Sequence, residues 1–296
     1  MIYYHYTPLK AFSSILQKNP TKDKEICFWA TRIDCFEDKA EYIHGIDKLR
    51  PVLETFESEA ELQEDRRISQ FFSPEDVSRA FGLPVPYVIS ISKRKDNEYM
   101  WENYADKSQG VVMELEFPNS RGIYEAALFS IESCLYDCKI SSSELEQLVK
   151  EKYMEMAIIM FGGNKEFAYM LLRDNPVEFV RFIAMYLLAF VAPRFKKDKF
   201  IKEEETRIII ASPKKKYNSL FDNMPYPVEF EAMVEMVKKF VDEEKQRPDN
   251  GNFFREIFMP ISVLKRVYVK GYKQKHEVED ILRKRGLNHI PVEVMA

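Results

Sequence analysis

Short runs of apolar, aromatic and β-branched residues, alternating with polar ones at the end of VVMELEF, predict strands. The clearest are Ile2–Thr7 (IYYHYT), Ile26–Ala30, Tyr87–Ser92 (YVISIS), Val111–Phe117 (VVMELEF), Arg207–Ala211 (RIIIA) and Ile261–Lys270. Other stretches repeat apolar residues at helical spacing. Leu9, Phe12, Ile15 and Leu16 form one stripe behind Thr7 and Pro8, a capping residue and a first-turn proline. Residues 36–72 are charged and helical in pattern, and read as two helices. Further helices are expected at 141–161, 165–173, 176–195 and 274–284, punctuated by Gly162-Gly163 and Asn175-Pro176. Strand-rich ends around a helical insert at about 142–195 predict one α+β domain over 1–296. Its core is a mixed or antiparallel sheet, elaborated by helices at about 36–72 and 142–195.

Composition narrows the functions available. The chain has 296 residues, 46% hydrophobic and 31% charged, which fits a folded globular protein. Its net charge of -4 excludes a wholly basic surface for nucleic acid. Only nine glycines occur, and none forms the Gly-rich turn of a Rossmann fold or a P-loop. Cys27, Cys35, Cys134 and Cys138 make no disulfide framework, and the four histidines have no metal-ligand spacing, so no metal is expected. Met1 to Tyr6 lacks the basic-then-apolar pattern of a signal peptide. The apolar run Phe182–Val191 is too short to span a bilayer, for which about 20 residues are needed. A cytoplasmic protein without membrane association is expected. The run Phe182–Leu188 suits a buried helix or a homodimer contact.

Three groups of residues can carry chemistry, each with a plainer account beside it. His5 and Thr7 share a strand face, and could contact a ligand or sit at a core edge. Glu203-x-Glu205-x-Arg207 places two carboxylates and a guanidinium at the start of a strand, where Arg207 can hold one carboxylate ionised. Such a carboxylate can stabilise a sugar cation; the plainer account is a solvated charge run. Trp101 and Tyr104, spaced i, i+3, could form an aromatic wall or simply pack. Glu114 and Glu116 form a second carboxylate pair, more simply the wet face of a strand. The basic clusters Lys93-Arg94-Lys95, Lys196-Lys197 and Lys214–Lys216 read as solvated loops.

Together these segments resemble the bacterial family called domain of unknown function 2971. The resembling pieces are Tyr4-His5-Tyr6-Thr7, Phe36–Glu41, Ser90-Ile91-Ser92, Trp101-x-x-Tyr104-Ala105-Asp106, Glu203-x-Glu205-x-Arg207-Ile208-Ile209 and Pro260-x-x-Val263-Leu264-Lys265-Arg266-Val267. Glu37 and Lys39 depart from that family's pattern, where Asn and Pro are usual. The motif order is also similar to the layout of ADP-ribosyltransferases, whose NAD site needs no Gly-rich turn. That similarity implies NAD as a substrate, cleaved at its nicotinamide glycosidic bond, in a setting of toxin or phage-defence biology. It implies that His5 orients the ribose with Thr7 assisting, and that Tyr104 or Trp101 stacks on the base. Glu205 would be the catalytic carboxylate with Glu203 beside it, and Arg207 would fix the carboxylates or meet phosphate. The acceptor would be a protein or nucleic acid. The alternatives are a non-catalytic module binding a nucleotide or a protein, and a metal-dependent nuclease using Glu114, Glu116 or Glu203.

Overall fold

The computed structural model describes residues 1–17, 25–36, 40–59, 61–75, 85–117, 129–160, 186–211 and 244–295, with the single positions 38, 166, 170 and 184. Most of the expected helix at 165–173, the first part of that at 176–195, and the departures at Glu37 and Lys39 lie outside the described residues. The described end of the second helix is helical, as a π turn at Leu187–Val191 and a 3₁₀ turn at Ala192–Arg194, and Phe195 already begins a strand. So does the Lys214–Lys216 cluster.

Twelve strands and five α-helices organise the described chain. The strands are β1 (Ile2–Thr7), β2 (Glu25–Arg32), β3 (Tyr87–Ser92), β4 (Val111–Glu116), β5 (Phe129–Ser133), β6 (Leu135–Tyr136), β7 (Phe195–Lys196), β8 (Glu205–Ile210), β9 (Lys245–Gln246), β10 (Phe253–Pro260), β11 (Leu264–Val269) and β12 (Val292–Val294). The helices are α1 (Leu9–Gln17), α2 (Glu41–Glu59), α3 (Glu98–Tyr104), α4 (Ser142–Met160) and α5 (Tyr272–Lys284). Ten strands make one mixed, mostly antiparallel sheet in the order β12-β11-β4-β1-β3-β2-β10-β9, with β8 added between β3 and β5. This is the α+β class that the sequence predicts. Residues 64–66 and 68–71 form short 3₁₀ turns where a second helix is expected within 36–72.

β3 organises the sheet. It pairs with β8 along its whole length, from Tyr87↔Ile210 to Ser92↔Glu205. Along its other edge it meets β2 only at Tyr87 and Val88, and β1 only at Ser92. The sheet therefore forks between β1 and β2.

Side-chain parity then assigns the faces. Tyr87, Ile89 and Ile91 of β3, with Ile208 and Ile210 of β8, pack under Phe12 and Ile15 of α1 and Val278 and Leu282 of α5. On the other face, Val88 and Ile209 meet Tyr42, Ile46, Leu49 and Leu53 of α2, Val149 of α4 and residues 186–192. A third cluster on that face joins Tyr6, Val112 and Tyr268 to Met100 and Trp101 of α3.

Local chemistry explains the helix placements that matter for the site. Asn97 caps α3, its side chain accepting from the Met100 amide at 3.2 Å. Ser141 and Glu144 form a reciprocal capping box at the start of α4. In α2 a side chain at Gly45 would collide with the Ala192 backbone. That close approach brings Glu41, one turn earlier on the same helix face, over the sheet.

Candidate active site

A short 3₁₀ helix, Asp198–Glu203, ends at Glu204, whose φ of 46° is left-handed. Non-glycine residues adopt that conformation at a cost, so the turn is held by its surroundings. It reverses the chain into β8, and Glu203 and Glu205 converge on the Lys196 ammonium at the end of β7. Lys196 lies 2.5 Å from Glu205 Oε2 and also bonds Glu203. Glu205 accepts from Ser90 Oγ at 2.5 Å and from Arg207 Nε at 3.1 Å. Its backbone amide donates to the Tyr136 hydroxyl at 3.0 Å. Arg207 bonds Glu41 and the Pro193 carbonyl through its remaining nitrogens. Tyr104 closes the outer side, its hydroxyl donating to Glu203 Oε1 at 2.8 Å.

These groups are almost wholly buried. Glu203 and Glu205 are each 2% exposed and Arg207 is 0%, whereas Tyr104 is 40% exposed. Solvent thus meets the cluster at Tyr104. Three carboxylates (Glu41, Glu203, Glu205) face two cations (Lys196, Arg207), an excess of one negative charge. Buried like charges cannot all stay ionised cheaply, so proton affinities separate within the set. Burial pushes the Glu203 carboxyl up, Lys196 opposes that, and neighbouring Glu205 adds to it; the net shift is upward. Burial also works against the Glu205 anion, but Arg207 and Lys196 reverse this and hold Glu205 well below the usual carboxylate range. Burial raises the Tyr104 hydroxyl, and adjacent Glu203 raises it further. The arrangement is a firmly held anion beside a carboxylate of raised proton affinity, the pairing used in acid–base and cation-stabilising catalysis.

The structure brings together Glu203, Glu205, Arg207 and Tyr104 from the sequence-derived set. It does not bring His5 and Thr7 to them. The register Tyr4↔Ser92, followed by Ser92↔Glu205, puts Tyr4, Tyr6, Ser90, Ser92, Glu205 and Arg207 on one face. His5 and Thr7 point to the other, where the His5 ring meets Phe28 edge-on at 5.2 Å. A ribose held by His5 and a cation facing Glu205 would lie on opposite sides of the sheet. His5 Nδ1–H instead donates to the Ser90 carbonyl at 2.9 Å, inside the fork between β1 and β2. Trp101 is 0% exposed, packed edge-on to Tyr6 at 5.8 Å, and its indole donates to the Lys95 carbonyl. Of the two candidate stacking rings, only Tyr104 reaches solvent.

Glu114 and Glu116 lie on β4, three strands from β8, or about 14 Å at the usual strand spacing. Glu114 accepts from Tyr268 and Glu116 pairs with Lys265, so neither joins Glu203 in one site. Among the described residues no three His, Cys, Asp or Glu side chains are grouped to hold a metal ion. Lys196, Ser90, Glu41 and Tyr136 are the participants that sequence reasoning missed. Lys196 reads locally as half of a solvated Lys-Lys pair, and only the fold shows its carboxylates.

Burial lowers the proton affinity of His5 below its ordinary value of 6.5, with the Ser90 carbonyl opposing this. The unfolded chain then binds the extra proton, so this contribution to stability is present above about pH 6.5 and is lost as pH falls below it. His5→Gln should therefore flatten the fall in denaturation midpoint between about pH 7 and pH 5. An unchanged slope would contradict the lowered proton affinity of His5.

The elements α3 through β8, which carry Trp101, Tyr104, Lys196, Glu203, Glu205 and Arg207, also carry the family signal. Residues 100–208 match the family described as protein of unknown function (DUF2971). The chain resembles that family. The matched segment holds both carboxylates, the lysine that bridges them and the tyrosine above them. No curated protein matches the chain, and no solved structure does. No described helix is long and apolar enough to cross a membrane.

Proposed function

We propose that the Glu203/Glu205 centre acts on NAD in the manner of an ADP-ribosyltransferase, cleaving the glycosidic bond to nicotinamide. The observation that carries this reading is the buried pair itself: one carboxylate fixed as an anion, the other raised in proton affinity, and an exposed aromatic ring touching the second. In the reaction the C1′–N bond breaks and its electron pair leaves with nicotinamide, which needs no proton because it departs from a pyridinium. Glu205 stabilises the ribosyl cation. The acceptor's oxygen or nitrogen bonds to C1′, and its proton passes to Glu203. Lys196 and Ser90 position the carboxylates. Tyr104 lies on the route by which the donor reaches them and supplies the stacking ring.

A second reading has its own support. The near-complete burial of both carboxylates and of Arg207 suits a structural staple in a non-catalytic nucleotide- or protein-binding module. Binding without nicotinamide release would favour it.

Calorimetric titration of NAD tests the first reading. The wild type should bind, and Tyr104→Ala should weaken binding about tenfold, as expected for loss of one stacked ring. No binding to the wild type at millimolar NAD would overturn the NAD reading.

A further inference from the structure

Loop 93–97 connects β3 to α3 and carries Lys93, Arg94 and Lys95 in succession. As sequence it resembles any solvated basic turn, yet the structure ties it down throughout. The Tyr6 hydroxyl donates to the Arg94 carbonyl at 2.6 Å and accepts from the Asn97 amide at 3.2 Å. Ser92 Oγ accepts from the Arg94 amide at 3.1 Å, and the buried Trp101 indole donates to the Lys95 carbonyl at 3.0 Å. Asn97 Nδ2 donates to the carbonyls of Lys202 at 2.8 Å and Glu203 at 3.3 Å. The last two bonds join this loop to the turn that bears the carboxylate pair.

The Arg94 guanidinium stands at the surface beside that turn, with its side chain 51% exposed. Asp96 holds Nε at 3.1 Å, while Nη1 reaches Glu204 at 3.4 Å, a long contact. Glu204 is the left-handed residue between Glu203 and Glu205. Exposed pairs of this kind contribute little, so an incoming anion displaces Glu204 readily. Lys95 is less available, since its ammonium lies 4.6 Å over the Tyr268 ring. Asp96, Glu98 and Glu204 cancel much of the loop's charge at a distance. Recognition then depends on the guanidinium fork at contact, where Arg matches phosphate oxygens in pairs.

We propose that loop 93–97 is the phosphate-recognition element of the site, with Arg94 holding the pyrophosphate of a dinucleotide donor. Its ribosyl carbon then faces Glu203 and Glu205. This rests on the reading given under Proposed function. It makes the preferred substrate a diphosphate-bridged nucleotide and not a simple nucleoside.

The Trp101 indole N–H, bonded to the loop, is a reporter. Trp29→Phe leaves Trp101 as the sole tryptophan of the two, so its proton–nitrogen resonance is unambiguous. In that background NAD, ADP-ribose and nicotinamide riboside are titrated against proteins with Arg94 intact, with Arg94→Ala and with Arg94→Lys, after thermal melts confirm folding. NAD and ADP-ribose should shift the Trp101 signal. Arg94→Ala should weaken both about tenfold, the loss expected for one charge-assisted pair, with Arg94→Lys between. Nicotinamide riboside should bind with less change. Equal NAD affinity in all three proteins would overturn the loop's role and leave the NAD reading standing. ADP-ribose binding that depends on Arg94, without NAD binding, would support the loop and sink that reading. Absence of binding by every probe at millimolar concentration would overturn both.

Discussion

Glu205→Gln should lower nicotinamide release from NAD by about 10²–10³-fold while leaving a folded protein, because the lost charge is the one that faces the developing cation. The fold survives because of the charge count inside the cluster. With Glu205 neutral, Glu41 and Glu203 face Lys196 and Arg207, two against two, and the excess negative charge disappears. The glutamine oxygen can still accept from Ser90 and Arg207, as Glu205 does at 2.5 and 3.1 Å. Steady-state release of nicotinamide, alongside a denaturation curve, separates catalysis from stability. Turnover near the wild-type rate would remove Glu205 from the reaction.

Arg207→Ala should have the opposite profile, an effect on folding first. Removing the guanidinium leaves Glu41, Glu203 and Glu205 with Lys196 alone, and strips a donor from the Pro193 carbonyl. Breaking a buried pair from one side costs about 3–5 kcal/mol. Whole domains are stable by only about 5–15 kcal/mol. The variant should therefore melt far below the wild type or fail to accumulate as folded protein. Arg207→Lys should be intermediate, since one ammonium cannot reach both carboxylates and the carbonyl as the fork does. A loss below about 1 kcal/mol by chemical denaturation would show that the cluster is not a structural keystone.

Parts of this architecture are visible in single segments. β1, β3, β4, β8 and β11 announce themselves through aromatic and β-branched runs, and α1 and α5 through apolar spacing. β10 does not, because Arg255 and Glu256 interrupt its pattern, yet both are buried in the fold at 1% and 3% exposure. β5 and β12 are short and similarly weak in signal. In the site, Glu203-x-Glu205-x-Arg207 is legible because its spacing is local. Lys196 and Glu41 arrive from other elements and carry no local mark.

The case of His5 shows where such reading stops. Parity within β1 correctly groups Tyr3, His5 and Thr7, but the face they share with β8 depends on inter-strand register. That register, Tyr4↔Ser92, is set by tertiary packing and turns His5 away from Glu205. Trp101 likewise looks exposed among polar neighbours, but its indole is needed to pin loop 93–97.

Nicotinamide release from NAD, compared between wild type and Glu205→Gln at matched folded fraction, tests the central claim most directly. The account predicts release by the wild type and almost none by the variant. Equal rates, or no release by a wild type that binds NAD, would contradict a catalytic carboxylate pair and leave the buried cluster as a structural staple.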